Sequence, residues 1–166
     1  MYKIIKTKKL SSKETTEWEW NTHSSHTYLK SKLLLKYNFQ HGFFNKSFEN
    51  ESLNYLASFL GKNLSIHQAD QIHGNNIIEA SDSIVGHIKS CDGLISNDKN
   101  QSLWIYTADC IPVLIGDIST GKVSACHAGW RGVAKRLIPN AIDKLTETNP
   151  HSTDLIIAMG PAISGV

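Results

Sequence analysis

Residues 103–132 read LWIYTADCIPVLIGDISTGKVSACHAGWRG, and this stretch restricts the possible folds more than any other. Two apolar runs, Trp104 to Ile115 and Val123 to Cys126, flank the polar, glycine-containing segment Asp117 to Lys122. Extended apolar residues on both sides of a tight turn predict an antiparallel hairpin, with the turn near Ser119 to Gly121. That register sets Cys110 and His127 roughly opposite each other at the open end, a thiol and an imidazole within reach of one ion or one substrate. Ala128-Gly129-Trp130-Arg131-Gly132 then leads into a helix-like run. A glycine-bearing turn into a helix aims backbone N–H groups at an anion, and Arg131 adds a fork of donors. Taken singly, a cysteine reads as a small buried hydrophobe, a histidine as structural and Trp130 as core packing. Together at strand ends, beside this turn, Cys110 and His127 favour chemistry.

The chain has 166 residues, enough for a single domain, 1–166, with a sizeable core. A net charge of +2 argues against nucleic acid or an anionic membrane as the main partner. Three cysteines, Cys91, Cys110 and Cys126, are too few and too odd for a disulfide framework. No signal-peptide core or membrane-length apolar run is present, so a cytoplasmic setting is expected.

The remaining patterns predict one mixed α/β domain with antiparallel sheet content. Strands are expected at Tyr2–Lys6, around Trp18 and Trp20, and from Leu64 to Ile72. This last one continues through Asn76 to Ala80 past a bulge at Gly74. Leu29, Leu33, Leu34 and Tyr37 share one helical face, and Leu53, Leu56, Phe59 and Leu60 mark a second helix that Gly61 stops. A further helix is expected over Val133–Thr146, ended by Asn149-Pro150. The run Leu155 to Met159 reads as a buried strand. It delivers Gly160-Pro161-Ala162-Ile163-Ser164 with nothing after it to use the turn. A missing C-terminal portion is therefore expected.

His73, Cys110 and His127 each fall beside a glycine or a turn. One thiolate and two imidazoles make a first shell for Zn²⁺ that leaves a fourth position open, where the ion lowers the pKa of its water to about 7. The same set resembles a blue-copper shell, although multicopper chemistry needs many more paired histidines. A metal-free Cys-His hydrolase suits the residue types equally well. Cys110 is then the nucleophile, His127 its base, and Asp92 or Asp109 the orienting carboxylate.

Five motifs occur in order: Gln71-Ile72-His73-Gly74, Asp92-Gly93-Leu94-Ile95-Ser96, Thr107 to Leu114 (TADCIPVL), His127 to Gly132 (HAGWRG) and Gly160-Pro161-Ala162-Ile163. In these the chain resembles the bacterial purine nucleoside phosphorylase family first labelled polyphenol oxidase or laccase-like (the YfiH-type proteins), from about His41 onward. The resemblance implies zinc held by His73, Cys110 and His127. It implies phosphorolysis of adenosine, inosine and methylthioadenosine, and deamination of adenosine; copper-dependent phenol oxidation is also attached to the family. The implied fold is α+β, with mixed, largely antiparallel sheets packed with helices in α/β/β/α layers, like that of certain Cys-His toxin deamidases. Purine nucleosides and phosphate are the implied partners, with Arg131 facing the phosphate. Lys46 stands where the family often has an arginine, a point charge in place of a fork. Family members also continue well past the Gly-Pro motif.

Overall fold

A computed structural model describes residues 17–24, 26–84, 87–148 and 154–163. The strand expected at Tyr2–Lys6 and the helix stop at Asn149-Pro150 lie outside them. Strands β1 (Trp18–His23) and β2 (His26–Ser31) pair antiparallel, and β3 (Phe43–Phe44) adds to β2. Ser31 ends the strand and starts helix α1 (Lys32–Lys36), its extended backbone leaving Oγ to accept from Leu34 N at 3.4 Å. Leu29, expected on the helix, therefore belongs to β2.

Helix α2 (Leu53–Ala57), capped by Ser52, packs beside β4 (Ser65–Gln68), which pairs in parallel with β7 (Gln101–Trp104). Aromatic rings join these pieces, with Tyr28, Phe48, Leu56, Ile66 and Trp104 forming one core.

The second core belongs to a five-stranded sheet. It contains β5 (Ile77–Glu79), β6 (Gly93–Ile95), β8 (Ile111–Asp117), β9 (Val123–Ala128) and β10 (Leu155–Met159) in the order β10-β8-β9-β6-β5. Only β5 and β6 run parallel within it; the other neighbours are antiparallel. Helices α3 (Trp130–Ala134) and α4 (Leu137–Thr146) follow β9. Leu137, Ala141 and Leu145, at helical spacing, press onto Val113, Ile115, Cys126 and Ala128. The other face meets α1 through Leu34 against Ile156 and Ala158, with Phe39 lying where a Cβ of Gly116 would stand. The expected α+β class with mixed, largely antiparallel sheets holds.

Three expectations change, each in a way that shapes the site. The strand from Leu64 ends at Gln68, and its supposed continuation β5 lies in another sheet. Between them residues 72–74 give their N–H groups to a carboxylate, so no ladder can use them. The run Trp104–Ile115 also divides between two sheets, because Trp104 is anchored in the aromatic core while Val113 and Ile115 enter the second. The last helix breaks at Arg136, which is left-handed at φ 67°. Pro139 accounts for the break: it lacks an N–H, and its ring clashes with a helical carbonyl four residues back, at Lys135.

Candidate metal centre

Strand alternation aims His127 away from α4, because its neighbours Cys126 and Ala128 face that helix. In the hairpin Pro112 is the direct partner of His127, and Ile111 of Ala128. Cys110 thus lies diagonally from His127 on the same side, two residues from the position first expected. The diagonal is short enough, since the ligand atoms of His73, Cys110 and His127 all lie within 4.8 Å of one another.

His73 arrives from the loop joining β4 to β5, and Asp92 holds that loop. The Asp92 side chain is fully buried. Its Oδ1 accepts from His73 N at 3.0 Å, and its Oδ2 from Ile72 N at 3.3 Å and Gly74 N at 2.6 Å. These bonds support His73 in the left-handed region at φ 57°, a conformation that costs a non-glycine residue roughly 1 kcal/mol or more. Asp92 Oδ1 also accepts from His127 Nδ1 at 2.8 Å, leaving Nε2 with its lone pair toward Cys110 and His73. One carboxylate therefore orients both imidazoles, His127 directly and His73 through its backbone. Asp109, the other carboxylate considered, lines the adjoining cleft instead.

Two glycines make the close approach possible. A Cβ on Gly129 would stand 3.1 Å from Cys110 Sγ and 3.3 Å from His73 Cδ2, filling the space the ligands share. A Cβ on Gly132 would stand 2.5 Å from the Gly74 carbonyl oxygen, so α3 touches the His73 loop backbone to backbone. Opposite Pro139 the Lys135 carbonyl is released from helical bonding and accepts from Asn75 Nδ2 at 2.8 Å. One thiol, two imidazoles and an orienting carboxylate form a donor set of the kind that binds a zinc or copper ion.

A cleft of about 550 Å³ opens over the cluster, lined also by Asp70, Gln71, Tyr106, Thr107 and Asp109. Arg131 is exposed and its guanidinium lies over the Trp130 ring, 4.8 Å from the centroid, rather than in the cleft wall. Lys46 is exposed at the start of a short 3-10 turn and borders a larger apolar groove, which meets the cleft only at Tyr106, Thr107 and Ala108. Cys91 and Cys126 are fully buried, and burial pushes both thiols up to about 11, so they remain protonated. Gln71, inside the motif Gln71-Ile72-His73-Gly74, and Asn75 just after it carry no sequence signal of the contacts they make. Their hydrogen-bond partners lie on distant loops, and nothing local points to them.

Residues 49–166 match the family described as multi-copper polyphenol oxidoreductase laccase. A purine nucleoside phosphorylase of Synechocystis is 34% identical over 156 residues, covering 89% of this chain and 58% of the relative. One from Rickettsia conorii is 33% identical over 142 residues, covering 73% and 56%. The chain thus spans somewhat over half the length of these two relatives. Among solved structures, a Neisseria meningitidis protein of 22% identity shares the fold at a TM-score of 0.61, over 90% of this chain and 64% of that one. YlmD from Geobacillus stearothermophilus, 30% identical, aligns at 0.55 over 66% and 44%. Among the described residues no helix is long and apolar enough to cross a membrane.

Proposed function

Since the chain belongs to the multi-copper polyphenol oxidoreductase laccase family, the YfiH-type proteins, we propose that it is a zinc-dependent purine nucleoside phosphorylase acting in the cytoplasm. The observation that carries this reading is the His73–Cys110–His127 cluster, with its two imidazoles set by Asp92, at the floor of an open cleft. The relatives' names supply the substrate class, purine nucleosides and phosphate. Adenosine, inosine and methylthioadenosine are the substrates proposed, together with deamination of adenosine to inosine.

His73, Cys110 and His127 would hold the ion, which supplies a Lewis acid and a water of lowered pKa. Tyr106, exposed on the cleft wall, offers a ring on which a purine can stack. The described lining contains Asp70 and Asp109 but no lysine or arginine, so the wall itself repels a phosphate and suits the ribose hydroxyls. We assign the phosphate to Arg131, in the first turn of α3, which follows the His127 strand. Leaving its stack on exposed Trp130 gives up about 0.5–1 kcal/mol. A fork-shaped, charge-assisted bond to phosphate would replace that stack.

Metal analysis with an adenosine-plus-phosphate assay tests the proposal. Cys110→Ser and His73→Ala should lose bound zinc and product together, whereas Cys91→Ser and Cys126→Ala should keep zinc. The Asp92–His127 bond also suits a Cys110 hydrolase, with Asp92 orienting the base. Full activity of the chelated, metal-free protein would select that reading and reject zinc.

A further inference from the structure

His73 and Cys110 reach the cluster on two loops that leave the paired ends of β4 and β7, Gln68 opposite Trp104, and between which that ladder does not continue. Residues 69–76 connect β4 to β5, and residues 105–110 connect β7 to β8. Asp92 fixes the first loop to β6, but it makes no bond to the second. What bridges the two is one side chain. Gln71 Nε2 donates to the Tyr106 carbonyl oxygen at 2.6 Å, and Gln71 Oε1 accepts from Tyr106 N at 2.7 Å. The primary amide thus imitates one rung of a β-ladder across a gap where no ladder exists. Gln71 lies two residues before His73, and Tyr106 four before Cys110.

We propose that Gln71 is a positioning residue for the metal ligands: its two-bond clamp on Tyr106 sets the distance across which His73 and Cys110 hold one cation. The inference rests on reading the cluster as a metal site. The side-chain chemistry is restrictive. Glutamate keeps the acceptor but has no donor for the Tyr106 carbonyl, asparagine is one methylene short, and methionine matches the length with neither group. Without the clamp the stretch before Cys110 loses its tie to the His73 loop, while Asp109 O still accepts from Ile163 N at 3.2 Å and Ile111 still pairs with Ala128, so the ion must restore the spacing between the loops as it binds. The expected result is weaker metal binding with the ligand residues untouched.

The test titrates Co²⁺ and Zn²⁺ into the metal-free chain, comparing wild type, Gln71→Met, Gln71→Glu and Gln101→Met. Gln101 is the control because it makes a comparable clamp away from the cleft. Its Oε1 accepts from Asn97 N at 2.8 Å and Asp98 N at 3.0 Å, and its Nε2 donates to Asn97 Oδ1 at 2.8 Å. Gln71→Met should weaken both ions by about 10-fold or more, the usual scale for groups that orient ligands. It should also alter the cobalt–thiolate absorption bands. Gln101→Met, which also gives up its side-chain hydrogen bonds, should lower the unfolding midpoint while leaving affinity and spectrum as in wild type. Gln71→Glu, which retains one of the two bonds, should bind more weakly than wild type and gives the answer if the methionine variant does not fold. Wild-type affinity and spectrum in the Gln71 variants would overturn the inference. A wild-type chain that binds neither ion would overturn the metal reading first, and this inference with it.

Discussion

Asp92 carries more of the site than any ligand does, because four donors converge on its two oxygens. Asparagine in its place keeps the shape but has one accepting oxygen, so at least one buried N–H loses its partner. Asp92→Asn should cost about 1–3 kcal/mol in urea unfolding. It should also weaken zinc roughly 10–100-fold, measured by competition with a chromophoric chelator, because His127 loses its orienting carboxylate and His73 the support of its left-handed backbone. Unchanged zinc affinity in a folded Asp92→Asn protein would contradict the coupling between carboxylate and ligands. His73, Cys110, His127 and Asp92 were all visible in the sequence as donors of the right kind. The choice of Asp92 over Asp109 was not, since it depends on β6 lying beside β9, with Gly93 opposite Cys126.

At the scale of elements, the hairpin was legible because its signals are local: two apolar runs and a turn in which Gly121 takes φ 74°. The break between α3 and α4 was also written in the chain, at Pro139, but helical spacing of Leu137, Ala141 and Leu145 masked it. The contact of α3 with the His73 loop was not legible, because Gly132 signals only that something approaches closely. Here the two glycines separate effects of stability from effects on the site. Gly121→Ala meets nothing within 4 Å and should cost about 1 kcal/mol through its backbone alone, leaving metal affinity unchanged. Gly132→Ala must push the Gly74 carbonyl aside, so it should cost about 1–3 kcal/mol and also weaken zinc. Equal zinc affinity in the two variants would show that α3 does not position His73.

For the whole molecule, the junction between the aromatic core and the five-stranded sheet runs through His41. Its Nε2 accepts from Ser31 N at 2.7 Å and its Nδ1 faces the Phe39 carbonyl at 2.8 Å, tying the end of β2 to the segment that packs under Gly116. Burial holds the imidazole below its ordinary value near 6.5. The Phe39 carbonyl opposes that shift, nearby Lys30 adds to it and Glu19 opposes it. A folded-state pKa below the unfolded one means the unfolded chain binds the proton first. The stabilisation is therefore complete above about pH 6.5 and is lost as pH falls through the lower, folded value. Thermal unfolding of the metal-free chain between pH 8 and 5 should show this loss, and His41→Gln should flatten it. An identical acid limb in the variant would assign the pH dependence to other groups.

Legible in the sequence by itself were the three candidate donors His73, Cys110 and His127, the hairpin, the amphipathic face of α4 and the mixed α+β class. Each follows from residue type and short-range periodicity, which act along a few neighbouring residues. Tertiary structure alone decided that the Leu64 and Trp104 runs leave the central sheet. It also decided that Asp92 holds His127 and the His73 loop and that Gln71 bridges the loops carrying His73 and Cys110. Those outcomes depend on which buried surfaces meet and which polar groups they leave to be paired. Such pairings join residues far apart in the chain, where no local preference reaches.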